Sequence, residues 1–273
     1  MASIIGGIGT SHVPTIGVAY DKGKQQDPVW KPLFDGYTPV AAWLAAQQAD
    51  VLVFFYNDHC TTFFFDLYPT FALGVGERFP VADEGAGLRN LPPIRGDVQL
   101  QAHIAECLVN DEFDLTVFQD KPIAINVLQY PLPTARRCYR LGQAVRRAIE
   151  SYPEDLRVVV VGTGGLSHQI HGERTGFNNT EWDMEFLDRF QHAPETLTHL
   201  THTDYVRLGG AESVEQIMWL AMRGALDGPI RKLHQNYYLM TTTAMTVVLY
   251  EPGEEAAGAP RSAELLARTA AAA

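Results

Sequence analysis

The chain has 273 residues, of which 46% are hydrophobic and 19% charged, so it can bury one sizeable core. Its formal net charge of −11 argues against nucleic acid or an anionic membrane as partner, and no apolar run approaches the roughly 20 residues that span a bilayer. The first residues, MASIIGGIGTSHVP, lack a secretory signal, and three cysteines without metal-type spacing indicate a reducing, cytoplasmic location.

Apolar patterns in chain order predict two buried strands, two helices, a third strand, a third helix and a fourth strand. The strands are short apolar runs without clean alternation, as expected when both faces are covered: Ile4–Ile8, Val51–Tyr56, Val158–Val161 and Met245–Tyr250. The helices carry apolar residues at helical spacing: Leu100, Ile104 and Leu108; Leu141, Val145 and Ile149, in a run that starts near Thr134; Val214, Ile217, Met218 and Ala221. This alternation predicts an α/β fold with a mixed, largely buried central sheet flanked by helices.

The sequence after Tyr250 differs in composition from the rest of the chain. Residues 251–273 are rich in Ala, Gly and Glu, which is typical of a loosely attached segment. We therefore predict one main domain, residues 1–250, followed by a flexible tail, residues 251–273. Within the domain, the loops Pro80–Asp97 and Gly172–Thr180 are long enough to predict a functional role.

Three histidines follow three of the predicted strands. His12 follows the first strand, His59 the second and His168 the third. In open α/β sheets, ligands bind beyond the carboxyl ends of the strands, so the three imidazoles are candidates for one common site. Taken singly, each is better explained as an ordinary loop or buried histidine, and the repetition after three strands makes a function about equally well supported.

A carboxylate lies on the third predicted helix. The segment Val214–Met222 is apolar on nearly every face, which predicts a buried helix, and Glu215 lies against that apolar surface. A buried carboxylate has to be protonated, ion-paired or bound to a metal, because burying an unpaired charge is costly. A salt bridge to Arg223 or to a distant arginine is one alternative. A position in the exposed first turn is another, although Glu212 fits that position better.

These ligand types leave two metal-dependent classes open. Two histidines and one carboxylate form the facial triad of non-haem iron(II) oxygenases, which leaves positions for substrate and oxygen. Zinc hydrolases use the same kinds of ligand. Ligand type alone therefore does not choose between an oxygenase and a hydrolase.

Several short motifs are spread along the chain from Ile4 to about Tyr250. They are Ser11-His12 with Pro14, Tyr56-Asn57-Asp58-His59, Ala82-Asp83-Glu84-Gly85, Asp111-Glu112-Phe113-Asp114, Gly162-Thr163-Gly164-Gly165, Ser167-His168-Gln169 and Met218-Trp219. Together they resemble the class III (LigB-type) extradiol dioxygenases, which include the protocatechuate 4,5-dioxygenase β subunit and the single-chain gallate dioxygenases. The stretches His171–Arg174 and Gly176–Asn179 are more similar to the gallate branch.

The resemblance implies that His12, His59 and Glu215 bind Fe(II) and that His168 is the acid–base residue beside the metal. It also implies that Thr242 or Thr243 touches the ring substituents of the substrate. The implied reaction opens the ring of a catechol-type aromatic acid with O2. Gallate, which would give 4-oxalomesaconate, is the first candidate substrate and protocatechuate the second. The implied assembly is a homodimer or a complex with a small α subunit or domain.

One departure from the family lies in the middle of the chain. Relatives carry an Asp-His-Gly segment within a longer stretch, and its histidine also lies near the iron. Here the chain runs Gln119-Asp120-Lys121-Pro122-Ile123 without such a histidine, although both flanks match the family. The pattern indicates an internal block that is absent either from the protein or only from this sequence, and a true absence makes a non-catalytic relative the alternative to an active enzyme.

Overall fold

The computed structural model describes residues 1–81, 83, 87–119, 123–254, 261–264 and 266–267 of the chain. Its strands are β1 (Ser3–Thr10), β2 (Val51–Tyr56), β3 (Phe71–Gly74), β4 (Arg78–Phe79), β5 (Ile94–Arg95), β6 (Thr116–Phe118), β7 (Ile123–Ile125), β8 (Arg157–Thr163), β9 (Ile230–Tyr238) and β10 (Met245–Pro252). Its α-helices are α1 (Pro14–Asp21), α2 (Lys31–Gln47), α3 (Val98–Asn110), α4 (Ala135–Ser151), α5 (Thr180–His192), α6 (Pro194–Thr198), α7 (His202–Gly209) and α8 (Gln216–Leu226). Two short 3₁₀ helices span Lys24–Gln26 and Ala211–Glu215.

Eight strands form one central sheet in the order β6-β3-β7-β2-β8-β1-β10-β9. The centre of the sheet is parallel, because β8 pairs in parallel with both β1 and β2. Towards the edges the direction changes, since β10 is antiparallel to β1 and to β9, and β3 is antiparallel to β7. The prediction of a mixed sheet flanked by helices is therefore confirmed, and β1, β2 and β8 all end at the same edge.

Helices cover both faces of the sheet centre. The four valines of β8, Val158–Val161, are at most 3% exposed. Val159 and Val161 pack in a cluster with residues of α2, whereas Val158 and Val160 belong to the larger core that contains α4 and α8. A run of valines without alternation thus marks a strand that is buried on both faces.

Two glycines allow α8 to lie directly on the sheet. A Cβ atom at Gly162 would lie 3.0 Å from the Cβ of Met222 and 3.1 Å from the Cα of Trp219, and one at Gly9 would overlap the Trp219 ring. Trp219 and Met222 belong to α8, so this helix contacts the backbone of β1 and β8. The 3₁₀ helix that precedes α8 therefore lies close to the edge where β1, β2 and β8 end.

The four predicted strands are confirmed as β1, β2, β8 and β10, and the three predicted helices as α3, α4 and α8. Thr134 is the N-cap of α4, where its side chain accepts a hydrogen bond from the N–H of Arg137. Of the motif Ala82–Gly85, only Asp83 lies among the described residues. None of the described helices has the length and apolar character needed to cross a membrane.

The predicted tail, residues 251–273, is described only in part. Strand β10 continues to Pro252, two residues past the predicted boundary. Ser262 is fully buried, its N–H donates to Asp188 and its hydroxyl donates to Gln235, both at 3.0 Å. This part of the tail is therefore attached to α5 and β9, whereas the domain boundary and the flexibility of the remainder stay predictions.

Candidate metal centre

Two histidines and one glutamate converge where the parallel strands end. His12 follows β1, His59 follows β2, and Glu215 is the last residue of the 3₁₀ helix before α8. The Nε2 atoms of His12 and His59 each lie 3.4 Å from Oε1 of Glu215. One ligand atom from each residue lies within 4.8 Å of the others, so the three predicted ligands are close enough to share a metal ion.

The geometry of this cluster suits a divalent transition metal. With metal–ligand bonds of about 2.1 Å, adjacent ligand atoms lie about 3 Å apart, which is close to the separation of these nitrogen and oxygen atoms. The side chains of His12 and His59 are 22% and 27% exposed and that of Glu215 is 9% exposed. The imidazoles thus reach solvent, where further molecules could approach a bound metal, while the carboxylate is covered.

The turn that carries His59 has an unusual backbone. His59 and Cys60 both have positive φ angles, 49° and 56°, a conformation that residues other than glycine rarely adopt. The buried Asp58 supports the turn, because its Oδ2 accepts hydrogen bonds from the backbone N–H groups of residues 61, 62 and 63. Strain of this kind persists only where the surroundings hold it, and it is common at functional sites.

Thr163, at the end of β8, fixes the tautomer of His12. The Thr163 hydroxyl donates to the carbonyl oxygen of Phe55 at 3.2 Å, and its oxygen lies 3.0 Å from Nδ1 of His12. A hydroxyl has one proton to donate, so this oxygen accepts a hydrogen bond from the Nδ1–H of His12. When His12 is neutral, as a metal ligand has to be, its lone pair is then on Nε2, which faces Glu215. Such outer hydrogen bonds orient the histidine ligands of metal sites.

We expect Thr163→Val to weaken binding of a divalent metal, with Fe(II) as the probe, by roughly 10- to 100-fold, because the ring of His12 loses the acceptor that orients it. Thr163→Ser keeps the hydroxyl and should bind Fe(II) as the wild type does. Anaerobic titration against a chromogenic chelator measures both affinities. Equal affinities for the valine variant and the wild type would show that Thr163 does not orient His12.

Among the described residues Glu215 pairs with histidines and not with Arg223 or another arginine, so the salt-bridge alternative is wrong. Arg223 donates instead to backbone carbonyls, including that of Gly228 at 2.8 Å. Glu212 takes the first-turn position and accepts a hydrogen bond from the N–H of Ile170 at 3.1 Å. The buried carboxylate of Glu215 therefore has histidines, rather than an arginine, as its charged neighbours.

The two oxygens of Glu215 have separate partners. The N–H of Gly165 donates to Oε2 at 2.9 Å, while Oε1 faces His12 and His59. Burial raises the pKa of Glu215, but the neighbouring imidazoles, His12 first, outweigh burial and hold this pKa well below its usual range. The carboxylate is therefore charged, which metal binding requires.

His168 lies beside the cluster in a defined tautomer. Its Nδ1 lies 2.8 Å from the carbonyl oxygen of Leu166, and because a carbonyl can only accept, Nδ1 carries the proton. The basic nitrogen is then Nε2, which faces Oε2 of Glu215 at 3.8 Å. A buried imidazole with its basic nitrogen directed at the candidate metal ligands is suited to accept and return a proton next to a bound metal.

A buried carboxylate, Asp183 of α5, anchors the segment that carries His168. Asp183 accepts hydrogen bonds from the N–H and the hydroxyl of Ser167, at 2.8 and 2.6 Å, and from the hydroxyl of Tyr237 at 2.8 Å. In the predicted functional loop, Asn178 donates to the carbonyl oxygen of Ser167 at 2.7 Å. Burial raises the pKa of Asp183 to about 6, although these hydrogen bonds lower it.

We expect Asp183 to make the protein less stable as the pH rises from about 4 to about 6. Asp183 binds its proton more tightly in the folded protein than in the unfolded chain, where the pKa of Asp is about 3.9. The contribution of this proton to the free energy of unfolding is therefore lost as the pH rises through the folded pKa. At about 1.4 kcal/mol per pKa unit, the loss is up to about 3 kcal/mol. Urea unfolding across this range should show a smaller decline for Asp183→Asn than for the wild type. Asp114→Asn, at a fully exposed aspartate, is the control, and parallel curves for wild type and Asp183→Asn would contradict the expectation.

The two predicted substrate threonines have different surroundings. Thr243 is buried and forms an isolated antiparallel bridge with His168. Thr242 is exposed, and its carbonyl oxygen accepts a hydrogen bond from Asn178 at 3.1 Å. Thr243 is thus next to the acid–base candidate, while substrate contact by either threonine stays a prediction.

Three further residues of the site were given no role by sequence reasoning: Thr163, Gly165 and Asp183. Thr163 and Gly165 lie in the motif Gly162–Gly165 at the end of a predicted strand. This position is the feature of the sequence from which a role in the site could have been predicted. Asp183 lies 15 residues after His168 in an ordinary helical segment, and nothing in the sequence marks it.

Comparison with known proteins gives one family match. The family model described as the catalytic LigB subunit of aromatic ring-opening dioxygenase matches residues 6–123 and 118–249. The two matched segments cover most of the chain. They meet at the position where the sequence indicates a missing internal block.

Individual relatives match part of the chain. Gallate dioxygenase from Pseudomonas putida is 47% identical over 205 residues, which cover 66% of this chain and 60% of that protein. A 2,3-dihydroxyphenylpropionate/2,3-dihydroxicinnamic acid 1,2-dioxygenase from Klebsiella pneumoniae is 28% identical over 182 residues, which cover 58% of this chain and 55% of that protein. The chain thus spans at most about 60% of the length of these two relatives. The solved structure of an uncharacterized protein from Escherichia coli K12 aligns with 90% of this chain and 99% of that chain, at 14% identity and a TM-score of 0.48.

Proposed function

The chain belongs to the family of catalytic LigB subunits of aromatic ring-opening dioxygenases, and on this premise we propose that it is an Fe(II)-dependent extradiol dioxygenase acting on gallate. The observation that carries the proposal is the convergence of His12, His59 and Glu215, with the basic nitrogen of His168 beside them. The 47% identity to a gallate dioxygenase supports gallate as substrate, with protocatechuate as the alternative.

In this proposal the protein residues hold the reactants and move one proton. Bound Fe(II) would supply a Lewis acid for the adjacent hydroxyls of the substrate and an electron relay between the substrate and O2. Nε2 of His168 accepts a phenolic proton when the substrate binds and returns it as the ring opens. Both atoms of O2 enter the product, which is 4-oxalomesaconate when the substrate is gallate.

The test is oxygen uptake by protein reconstituted with Fe(II) under anaerobic conditions and then given O2 with gallate or protocatechuate. We expect uptake with gallate in proportion to the absorbance of the ring-opened product, and less with protocatechuate. Metal analysis of the protein as purified, before reconstitution, together with the requirement for O2, distinguishes an iron oxygenase from a zinc hydrolase. An active protein that contains zinc and needs no O2 would overturn the proposal.

One observation favours a second candidate function. The sequence carries no Asp-His-Gly segment, which the resemblance to the family leads us to expect near the metal, so a non-catalytic member that keeps the fold is the alternative. Protein that binds Fe(II) at His12, His59 and Glu215 but consumes no O2 with either substrate would support this alternative. The cytoplasmic location, and assembly as a homodimer or with a small α subunit, stay predictions.

A further inference from the structure

A single peptide group connects Asp183 to His168. The carbonyl oxygen of Leu166 accepts the Nδ1–H of His168 at 2.8 Å, and the N–H of Ser167 donates to Oδ1 of Asp183 at 2.8 Å. Both backbone groups belong to the peptide that joins Leu166 to Ser167, which is trans. A trans peptide is planar, and its C=O and N–H point in opposite directions. The carboxylate and the imidazole therefore lie at opposite ends of one rigid unit.

Asp183 acts as an acceptor in all of these contacts. The hydroxyl of Ser167 accepts a hydrogen bond from the N–H of Asn179 at 2.8 Å, so its own proton is directed at Oδ2 of Asp183, 2.6 Å away. The hydroxyl of Tyr237 donates to the same oxygen at 2.8 Å. Oδ2 thus takes two hydroxyl donors, while Oδ1 takes the N–H of Ser167. Because the pKa of Asp183 is about 6, this side chain is a carboxylate above neutral pH.

The main chain on both sides of the connecting peptide is also held. The N–H groups of Leu166 and His168 donate to carbonyl oxygens elsewhere in the fold, at 3.2 and 2.8 Å. A peptide whose ends are held can still rotate about the line between its two Cα atoms, and this rotation would move the carbonyl of Leu166 away from His168. The hydrogen bond from the N–H of Ser167 to Asp183 opposes the rotation.

A carboxylate that binds the Nδ1–H of a histidine directly fixes the tautomer and the orientation of the ring. Here a peptide lies between the two groups. A hydrogen bond at the N–H end of a peptide polarises its carbonyl, which strengthens the hydrogen bond at the other end. With the proton of His168 kept on Nδ1, the lone pair stays on Nε2, which lies 3.8 Å from Oε2 of Glu215.

We propose that Asp183 is a positioning residue for His168, and that it holds the ring in the Nδ1–H tautomer through the peptide between Leu166 and Ser167. The inference deepens the proposed function and rests on it, because it takes His168 as the acid–base residue. The tautomer itself can be measured without any reaction.

The first test measures the tautomer by nitrogen NMR of the metal-free 273-residue chain, labelled in histidine, at a pH of about 8.5, where an ordinary imidazole is neutral. The spectrum of His168→Gln protein identifies the signal. We expect the Nδ1–H tautomer in the wild type and a mixture of both tautomers in Asp183→Ala. Asp183→Leu with Tyr237→Phe, which removes the carboxylate together with one of its donors, replaces the alanine variant if that protein does not fold. An unchanged tautomer in these variants would overturn the proposal.

Two further variants separate positioning from a general loss of stability. Tyr237→Phe removes one hydrogen bond to the same carboxylate but leaves the bond from the N–H of Ser167. It should lower the melting temperature and keep the Nδ1–H tautomer. Asp183→Asn keeps an acceptor for this N–H and should also keep the tautomer. If Tyr237→Phe lost the tautomer as fully as Asp183→Ala, the role of Asp183 would be structural only and the proposal would fail.

The second test is kinetic and uses protein reconstituted with Fe(II). We expect Asp183→Ala to lower kcat for oxygen uptake with gallate by about tenfold, with KM and iron affinity each within about twofold of the wild type. Glu185→Gln, at an exposed side chain of the same helix, is the control and should leave all three unchanged. A loss confined to KM or to iron content would overturn the proposal. Wild-type protein that consumes no O2 would count against the proposed function, whereas the tautomer measurement would still decide the role of Asp183.

Discussion

His12→Ala protein is expected to bind Fe(II) at least about 100-fold more weakly than the wild type and to consume no O2 with gallate above background. The reason is geometric, since Nε2 of His12 and Nε2 of His59 both lie 3.4 Å from the same oxygen of Glu215. With one of the three ligands removed, only two protein groups would remain to hold the metal. Anaerobic titration and metal analysis after desalting measure the loss.

The control for this variant is His171→Ala, because the side chain of His171 is 81% exposed and lies outside the cluster. It should bind Fe(II) as the wild type does. Full iron content in His12→Ala protein would show that His12 is not a ligand. It would also remove the observation on which the proposed function depends.

His168→Gln protein is expected to keep its affinity for Fe(II) and to lose about 10²- to 10⁴-fold in kcat for oxygen uptake. Glutamine can still donate to the carbonyl of Leu166, but it has no basic nitrogen to take the phenolic proton. Steady-state oxygen uptake at saturating gallate, with the iron content measured in the same sample, separates these two effects. Loss of iron would make His168 a ligand, and an unchanged kcat would remove it from the chemistry.

Much of the sheet could be predicted because buried parallel strands have a simple sequence pattern. Val51–Tyr56 was predicted with the bounds that the structure shows, and the valine run of β8 within two residues. Helix α2 escaped prediction because Gly36 and Pro39 interrupt its pattern. Strand β9 escaped because it lies at the edge of the sheet, where polar residues such as Lys232 and Gln235 are tolerated.

The three shortest strands of the sheet could not be read from the sequence. β6 and β7 have three residues each and β3 has four, so no periodicity can develop in them. Their conformation depends on pairing with one another across the sheet. Pairing between segments that are distant in sequence is decided by tertiary structure and leaves no local signal.

The ligands could be predicted more completely than the residues that hold them. His12 and His59 follow strands, and Glu215 stands out as a charge on an apolar helix. The N–H of Gly165 and the hydroxyl of Thr163 act through single hydrogen bonds, which any residue or many residues could provide. Such contacts become visible only when the strand ends and the 3₁₀ helix are placed together.

The glycines beneath α8 connect the affinity of the metal centre to the distance between this helix and the sheet on which it packs. His12 and His59 are fixed to the sheet, while Glu215 is fixed to the helix that rests on it. The gap between the carboxylate and the imidazoles is therefore set by the spacing of two layers, and Gly9 and Gly162 keep that spacing small. A methyl group at Gly162 would press on the backbone of Trp219 and the Cβ of Met222, and one at Gly9 would displace the Trp219 ring, without altering any of the ligands. A search for relatives that keep a working metal centre should therefore examine these two positions as well as the three ligands.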